Sequence, residues 1–380
     1  MKPPREQVCQ STAAKLSAAL PTLAGLPAVI GFDGFVDEII AVVDKRYDRT
    51  RYDPVKTIAE LGQKILRAAG QSSNYEMLVK QTKLGGNGPI MANALAAMGM
   101  SVTYIGNLGF PAVHPVFAEF TSRAHTISIA DPGHTLALEF EDGKLMLGKH
   151  ASLGDINWEN LISRVGKQKL QSLIDSARLI GLVNWTMLPF MSDIWAKLEA
   201  EILPGLARRQ RTMFVDLADP EKRTHDDIAE AMRILSRLGA QMDLILGLNL
   251  KESCEIAAVL GLNVPTDVGA AEAAIETTAR ALRQKLDVGC VVIHPRGGAA
   301  AATAEHSAAF DGPYVAQPRI STGAGDHFNA GFCLGRVLGL SLEESLCTGV
   351  ATSGYYVRNA QSPTGGQLAQ FIATLPRPQQ

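Results

Sequence analysis

Short apolar runs alternate with amphipathic segments over most of this chain, and that alternation restricts its fold more than any other feature. The intervening segments repeat their apolar residues with the period of a helix. This pattern is typical of βαβ units, in which successive strands enter one parallel sheet and helices cover its faces. The predicted strands are residues 28–32, 102–106, 179–184, 212–217, 244–248 and 290–293, and the predicted helices include 88–98, 191–202, 226–238, 251–260 and 270–285.

Polar residues stand at or just after the ends of the predicted strands. They are Asp33, Asn107, Asn184, Asp216, Asn249 and His294. The carboxyl ends of parallel strands share one edge of a sheet, and open α/β sheets bind their ligands outside that edge. The sequence therefore predicts a single polar cleft along this edge.

Residues 126–149 depart from this pattern and indicate a β-hairpin. Apolar and polar residues alternate on both sides of the dipeptide Asp142-Gly143, which favours a two-residue hairpin turn. We therefore expect an antiparallel flap over the cleft. The predicted organisation is one α/β domain over residues 1–380, with a small β-sheet lid at 37–45 and 126–150 and a helical insertion at 46–81 that contains a helix at 55–69.

Charge balance and cysteine content argue against several classes of protein. The 36 basic and 38 acidic residues leave a net charge of −2, so no basic surface for nucleic acid or acidic lipid is expected. Proline and polar residues interrupt the apolar stretches 16–32 and 84–118, so no membrane span is predicted. The N-terminus favours an amphipathic helix over a secretory signal. Five scattered cysteines without a C-x-x-C pair favour a reducing cytoplasm.

The segment 321–332, with the sequence STGAGDHFNAGF, is the most informative motif. Glycines on both sides of Ala324 allow several backbone N–H groups to converge, and the following helix adds the positive end of its dipole. A carboxylate at Asp326 would repel a phosphate bound there, so we infer that it serves as the base for a hydroxyl that attacks the phosphate. The alternative is a glycine-rich turn in which Asp326 only caps the helix.

This motif resembles the C-terminal signature of the PfkB (ribokinase-like) carbohydrate kinase family. The resemblance implies that Asp326 is the catalytic base, that Gly323, Ala324 and Gly325 form an anion hole, and that Thr322 lies at the nucleotide. It also implies a three-layer α/β/α sandwich with a small β-sheet lid. Some family members hold a monovalent cation with an aspartate where this chain has Ile320, which leaves activation by such a cation open.

A second segment resembles the family's N-terminal Gly-Gly signature, which opens a helix. Gly85 and Gly86 would let backbone amides approach sugar hydroxyls closely. Ile90 stands where the family usually has a sugar-binding asparagine, and Asn87 is the nearest substitute. Without the resemblance, this glycine pair would indicate only a turn.

A third segment follows the first predicted strand, where the family has an aspartate that binds substrate hydroxyls. Asp37 aligns best with that aspartate, and Asp33 is the second candidate. A carboxylate can accept hydrogen bonds from two adjacent hydroxyls, which suits a polyol. The alternative is that both are solvated loop acids.

The nucleotide side of the cleft is predicted from two further matches. Asn249 and Glu252 resemble the family's Asn-x-x-Glu motif and would hold Mg²⁺, mainly through water, although the same pair is also ordinary helix capping. Arg296 and Gly298 lie in a segment that resembles the family's nucleotide loop, where the arginine would meet a phosphate or remain on the surface.

These matches follow one another in the family's order and imply an ATP- and magnesium-dependent phosphotransferase. Its acceptor would be a primary hydroxyl of a sugar or sugar-like molecule. A nucleoside or other non-carbohydrate kinase on the same fold stays open, as does a non-catalytic sugar or nucleotide sensor. Because lid sheets in the family often pair two subunits, a homodimer through the lid is a further expectation.

Overall fold

The computed structural model describes residues 3–378. Its strands are β1 (Pro27–Phe32), β2 (Phe35–Arg46), β3 (Tyr52–Pro54), β4 (Met77–Gly85), β5 (Ser101–Gly106), β6 (His125–Ser128), β7 (Gly133–Phe140), β8 (Gly143–Lys149), β9 (Leu179–Leu182), β10 (Thr212–Asp216), β11 (Asp243–Leu248), β12 (Cys290–Ile293), β13 (Gly298–Ala302) and β14 (Ser307–Asp311). Its α-helices are α1 (Arg5–Ala19), α2 (Ile58–Arg67), α3 (Asn87–Met98), α4 (Ala118–Thr121), α5 (Trp158–Val165), α6 (Lys167–Ser176), α7 (Met191–Glu201), α8 (His225–Gly239), α9 (Leu250–Val259), α10 (Val268–Ala273), α11 (Ile275–Leu286), α12 (Ala324–Val337), α13 (Leu342–Asn359) and α14 (Gly365–Ala373).

The larger of two sheets has the strand order β14-β13-β12-β11-β10-β9-β1-β5-β6 over the described residues. From β6 to β12 in this order, neighbouring strands are parallel. The strands β13 and β14 extend the sheet in antiparallel fashion. The carboxyl ends of the parallel strands therefore lie along one edge.

Helices cover both faces of this sheet. On one face, α1, α3, α12, α13 and α14 contribute to an apolar core that includes Leu95 and Phe332. On the other face, α5 to α9 and α11 pack around residues such as Trp195 and Leu235. The predicted three-layer α/β/α sandwich is confirmed, because each face of a mostly parallel sheet must be buried beneath a helical layer.

The smaller sheet is built around β2. This strand pairs with β4 and β3 in antiparallel fashion and with β7 in parallel. Strand β8 closes the predicted hairpin with β7, and its two turn residues are Glu141 and Asp142 rather than Asp142-Gly143, because Gly143 already pairs with Phe140. The helix α2 packs on one face of the sheet, where Leu61 meets Ile40 and Leu138. Only Asp33 and Gly34 separate β1 from β2, so the chain passes from one sheet to the other directly at the cleft.

Several segments differ from the expectation. Residues 126–128, which the sequence places in the lid, belong to β6 and pair with β5 in the larger sheet, because Ile127 packs into its core. Residues 77–81, which the sequence places in the insertion, begin β4. That strand is mostly exposed, and three apolar residues in a row are followed by four polar ones, so it lacks the apolar alternation of a half-buried strand.

Two other elements could not be read from apolar patterns. The strand β13 was not predicted because its sequence is glycine followed by four alanines, and both residue types are depleted in strands. The single helix predicted at 270–285 is divided into α10 and α11 at Ala274, whose backbone leaves helical geometry (φ −100°, ψ 5°). Within residues 3–378, no helix combines the length and hydrophobicity of a membrane span.

Candidate active site

Asp33 lies where β1 leaves the larger sheet, and its carboxylate holds together three segments of the cleft. It accepts hydrogen bonds from the backbone N–H of Asn87 (2.9 Å) and of Gly88 (2.7 Å), at the start of α3. It also accepts one from the side-chain amide of Asn184 (2.7 Å), which follows β9. The residue has no exposed surface, and burial raises the pKa of its carboxyl to about 6. Protein donors thus occupy both oxygens of this predicted substrate ligand.

Asp326 faces this junction from the first turn of α12. The side-chain amide of Asn87 donates to its Oδ1 at 2.9 Å. Burial raises the pKa of Asp326 to about 8, the Asn87 hydrogen bond opposes that rise, and the charge of Asp33 adds to it. A carboxylate that takes up a proton near neutral pH is suited to general base catalysis. The structure therefore brings together the predicted base and Asn87, one of the predicted acceptor ligands.

The glycine motif forms a tight turn immediately before α12. The backbone N–H of Ala324 donates to the carbonyl of Ser321 (3.1 Å), and Gly323 has φ 86° and ψ 3°. This is a type II turn, which requires a positive φ at its third residue and therefore favours glycine. Among residues 3–378, no protein acceptor is described for the amides of Gly323 and Gly325. Of the three amides expected in the anion hole, that of Ala324 instead closes the turn.

Asp37 occupies the small sheet at the base of β2. Its neighbours across the strands are Lys83 on β4 and Thr135 on β7. Burial raises the pKa of its carboxyl, and a hydrogen bond with Thr135 opposes that rise. A Cβ atom at Gly85 would lie 2.4 Å from Asp37 Oδ2, so a larger residue at position 85 would displace the Asp37 carboxylate. Gly86, with φ 98°, then turns the chain into α3.

Asn249 and Glu252 open α9 as a capping box. Glu252 N donates to Asn249 Oδ1 (2.9 Å), and Asn249 N donates to Glu252 Oε2 (2.8 Å). The backbone N–H of Asp219 donates to the other oxygen of Glu252 (2.8 Å), and burial raises the pKa of the Glu252 carboxyl. Asn249 and Glu252 therefore cap α9, as the alternative to a magnesium role predicted, and they also lie at the carboxyl end of β11, beside the cleft.

Asp216 is a site residue that the sequence places at a strand end without a role. It ends β10, is buried, and accepts a hydrogen bond from the side-chain amide of Asn329 on α12 (2.9 Å). Its pKa is raised well above the usual range, first by burial and then by the negative charges of Glu252 and Asp326. The sequence signal that could have identified Asp216 as a site residue is its position at the carboxyl end of a strand that is buried throughout.

The three buried carboxyls of Asp216, Glu252 and Asp326 provide a test for magnesium. The charges that act most strongly on Asp216 are both negative, so a divalent cation would relieve their repulsion. Over residues 3–378, no three carboxylate, imidazole or thiolate side chains converge closely enough to form a direct metal site. The repulsion among these carboxyls fits a hydrated Mg²⁺, which keeps several water ligands.

The segment expected to contact nucleotide lies beside the glycine turn. The Arg296 side chain is exposed, and Gly298 begins β13, where a Cβ atom would lie 2.8 Å from the Phe310 carbonyl. His294 lies close to the first turn of α12, where a Cβ atom at Gly325 would come within 3.2 Å of its ring. The pairing of β13 with β14 is thus a structural reason for glycine at position 298.

The chain is a parallel α/β/α sandwich, and a glycine turn beyond its strand ends begins a helix that carries a buried carboxylate. These features define the class of ribokinase-like kinases. The chain aligns with Arabidopsis thaliana ribokinase, in a structure with ribose and ATP, at a TM-score of 0.61 and 18% identity, covering 91% of this chain and 98% of that one. The nucleoside kinase of Methanocaldococcus jannaschii gives a TM-score of 0.59 at 12% identity, covering 92% and 98%. Both likenesses establish the fold.

Sequence relatives identify the family within this class. The family described as prokaryotic ketohexokinase matches residues 6–374. The ketohexokinase of Haloferax volcanii is 30% identical over 347 residues, which are 91% of this chain and 90% of that protein. The chain belongs to the prokaryotic ketohexokinase family. It is a sugar kinase that phosphorylates a sugar hydroxyl, and these relatives do not favour the sensor or nucleoside kinase alternatives.

Proposed function

We propose that this enzyme transfers the γ-phosphoryl group of ATP to a primary hydroxyl of a ketohexose. The name of the Haloferax volcanii relative supports the acceptor class. The observation that carries the proposal is the pairing of Asp326 with Asn87, because it places a base with a raised pKa beside an amide that can bind hydroxyls. The ribokinase structure with ribose and ATP supports ATP as the donor.

In this mechanism Asp326 accepts the proton of the attacking hydroxyl. The amides of Gly323 and Gly325, together with the N-terminal end of α12, stabilise negative charge on the transferring group. Asp37 and Asn87 orient the ketohexose, and Asp33 fixes the position of Asn87 through its backbone. The small sheet acts as a lid that excludes water, which would otherwise compete as acceptor.

Asn249, Glu252 and Asp216 would hold hydrated Mg²⁺ on the nucleotide side of the cleft. The ion, when bound, neutralises charge on the phosphates as the phosphoryl group moves. The capping box and the backbone N–H of Asp219 together keep Glu252 at the cleft, since each oxygen of Glu252 accepts one of these N–H groups. Thr322, Arg296 and Gly298 are the remaining residues that we place on the nucleotide side.

The edge strands of the small sheet support a homodimer through the lid. Met77 and Val79 on β4 and Met146 and Leu147 on β8 are 42%, 45%, 52% and 47% exposed. Exposed apolar side chains on edge strands favour pairing with another chain. We also propose a cytoplasmic location, because all five cysteines are free thiols in the structure.

The test is ADP release from Mg-ATP with fructose, tagatose and sorbose, compared with glucose, ribose and adenosine. We expect turnover with at least one ketohexose, far above the rate with water alone. Asp326→Asn should abolish that turnover while nucleotide still raises the melting temperature. Turnover only with adenosine, or substantial turnover by Asp326→Asn, would contradict the proposal.

A further inference from the structure

Two aromatic side chains lie behind the glycine turn and contact its carbonyl groups. His327 Nδ1 lies 2.7 Å from the Gly323 carbonyl oxygen, and Tyr356 donates its hydroxyl to the Thr322 carbonyl oxygen at 2.9 Å. The two rings stack with centroids 3.6 Å apart and an interplanar angle of 12°. Two consecutive carbonyl groups of the anion-binding turn are therefore held from one side.

The surroundings of His327 fix its tautomer. A carbonyl oxygen only accepts, so Nδ1 must carry the proton that is shared with Gly323. Nε2 is then the acceptor, and the Ser362 hydroxyl donates to it at 2.9 Å. Burial lowers the pKa of His327 to about 4, so the ring is neutral near pH 7. His327 thus adds no positive charge for a phosphate, and its effect on the turn is geometric.

These contacts decide which way the turn presents its amides. In a trans peptide the C=O and N–H groups point in opposite directions. Because Tyr356 holds the Thr322 carbonyl, the N–H of Gly323 must point away from the tyrosine. Types I and II differ by a flip of this central peptide, and glycine at the third position is compatible with both. Without the tyrosine contact, a flip would turn the Gly323 N–H away from the anion site.

We propose that His327 and Tyr356 are positioning residues that keep the Gly323 amide directed at the transferring phosphoryl group. Tyr356 holds the central peptide of the turn, and His327 anchors the next carbonyl and stacks on the tyrosine. The inference rests on the proposed phosphoryl transfer and extends it to two side chains behind the turn. Their loss should lower kcat, because the amide acts on charge that develops in the transition state.

Tyr356→Phe tests the proposal with the removal of one oxygen atom. We expect kcat with the best ketohexose to fall about tenfold to a hundredfold, with the KM for that sugar unchanged. Tyr355→Phe is the matched control, because it removes a hydroxyl from the preceding residue of α13, whose ring packs edge-on against Phe371. Unchanged kcat in Tyr356→Phe, or an equal loss in Tyr355→Phe, would overturn the proposal.

Variants at His327 supply a second readout. His327→Phe preserves the stack and removes the donor, whereas His327→Asn keeps a donor near the position of Nδ1, so kcat should be lower in the phenylalanine variant. Aluminium fluoride with Mg-ADP and sugar mimics the transferring phosphoryl group, so its addition should raise the melting temperature of the wild-type enzyme. Tyr356→Phe should not show this rise, although Mg-ADP alone should raise its melting temperature as much as that of the wild type. Equal responses in both proteins would refute positioning. A wild-type enzyme without ketohexose turnover would instead refute the proposed function.

Discussion

Replacement of Asp326 by asparagine should abolish activity and at the same time stabilise the folded protein. The carboxyl is buried, and no cationic side chain is among the groups with the largest effects on its pKa. Burial penalises the ionised form of such a group in the folded state, whereas the unfolded chain exposes it to water. Asparagine has nearly the same shape, keeps an oxygen for the Asn87 hydrogen bond, and cannot ionise.

The magnitude follows from the pKa of Asp326, which rises from 3.8 to about 8. Each pKa unit corresponds to about 1.4 kcal/mol, so ionisation of this group opposes folding by on the order of 5 kcal/mol above pH 8. Because the folded-state pKa is raised, the stability that the protonated carboxyl contributes is fully present below pH 4 and is lost as pH rises to about 8. Relaxation around the charge reduces this value, and we expect a measured gain of at least about 1 kcal/mol in Asp326→Asn at pH 8.

The assay is denaturant unfolding of wild type and Asp326→Asn at several pH values from 5 to 9. The stability difference between the two proteins should increase with pH and level off above pH 8. Taking the difference removes the contributions of acids that do not interact with Asp326, and it retains the repulsion between Asp326 and Asp33. A variant that is less stable than wild type at pH 8, or a difference that does not change with pH, would refute the reasoning.

Three further predictions concern the acceptor side, the metal side and the base. Gly85→Ala would place a Cβ 2.4 Å from Asp37 Oδ2 and should raise the KM for ketohexose about tenfold, whereas Gly62→Ala, which meets no atom within 4 Å, should leave steady-state kinetics unchanged. Glu252→Gln can keep the capping bond from Asn249 N, although its NH2 group cannot accept the bond from Asp219 N, and it should raise the Mg²⁺ concentration for half-maximal turnover about tenfold; an unchanged magnesium titration would contradict the metal assignment. Asn87→Ala removes the hydrogen bond that lowers the pKa of Asp326, so the acidic limb of the kcat/KM profile should move to higher pH; a limb that stays in place would show that Asp326 is not the base.

The larger sheet was predictable, apart from β6, because its other parallel strands are short, continuous apolar runs that end in polar residues. Strands β4 and β13 were not, since one is a mostly exposed edge strand and the other is mostly alanine. Strand β4 owes its conformation to pairing with β2, which is distant in sequence, whereas β13 is held between its sequence neighbours β12 and β14. Local patterns identify apolar buried strands, whereas exposed edge strands and alanine-rich strands depend on tertiary context.

The site was predictable to a similar extent. The motif around Asp326 and the strand-end rule predicted the cleft, whereas the hydrogen bond between Asn87 and Asp326 is visible only in the folded chain. The sequence did not separate the functions of Asp33 and Asp37, because burial and hydrogen-bond saturation are properties of the folded chain. Nor did it show that the amide of Ala324 closes a turn, since that depends on the left-handed conformation of Gly323.

The two-residue link between β1 and β2 connects the larger sheet directly to the small sheet, so that a movement of one sheet is transmitted to the other. Asp33 lies in that link and accepts a hydrogen bond from the backbone N–H of Asn87. The side chain of the same Asn87 donates to Asp326. A tilt of the small sheet would move this link, which precedes β2, and also the start of α3, which follows β4. We therefore expect the small sheet to close over the sugar in the same movement that brings Asn87 and Asp326 into their catalytic positions. A molecule too small to contact the small sheet, such as water, would then leave Asp326 out of position and would not be activated by it.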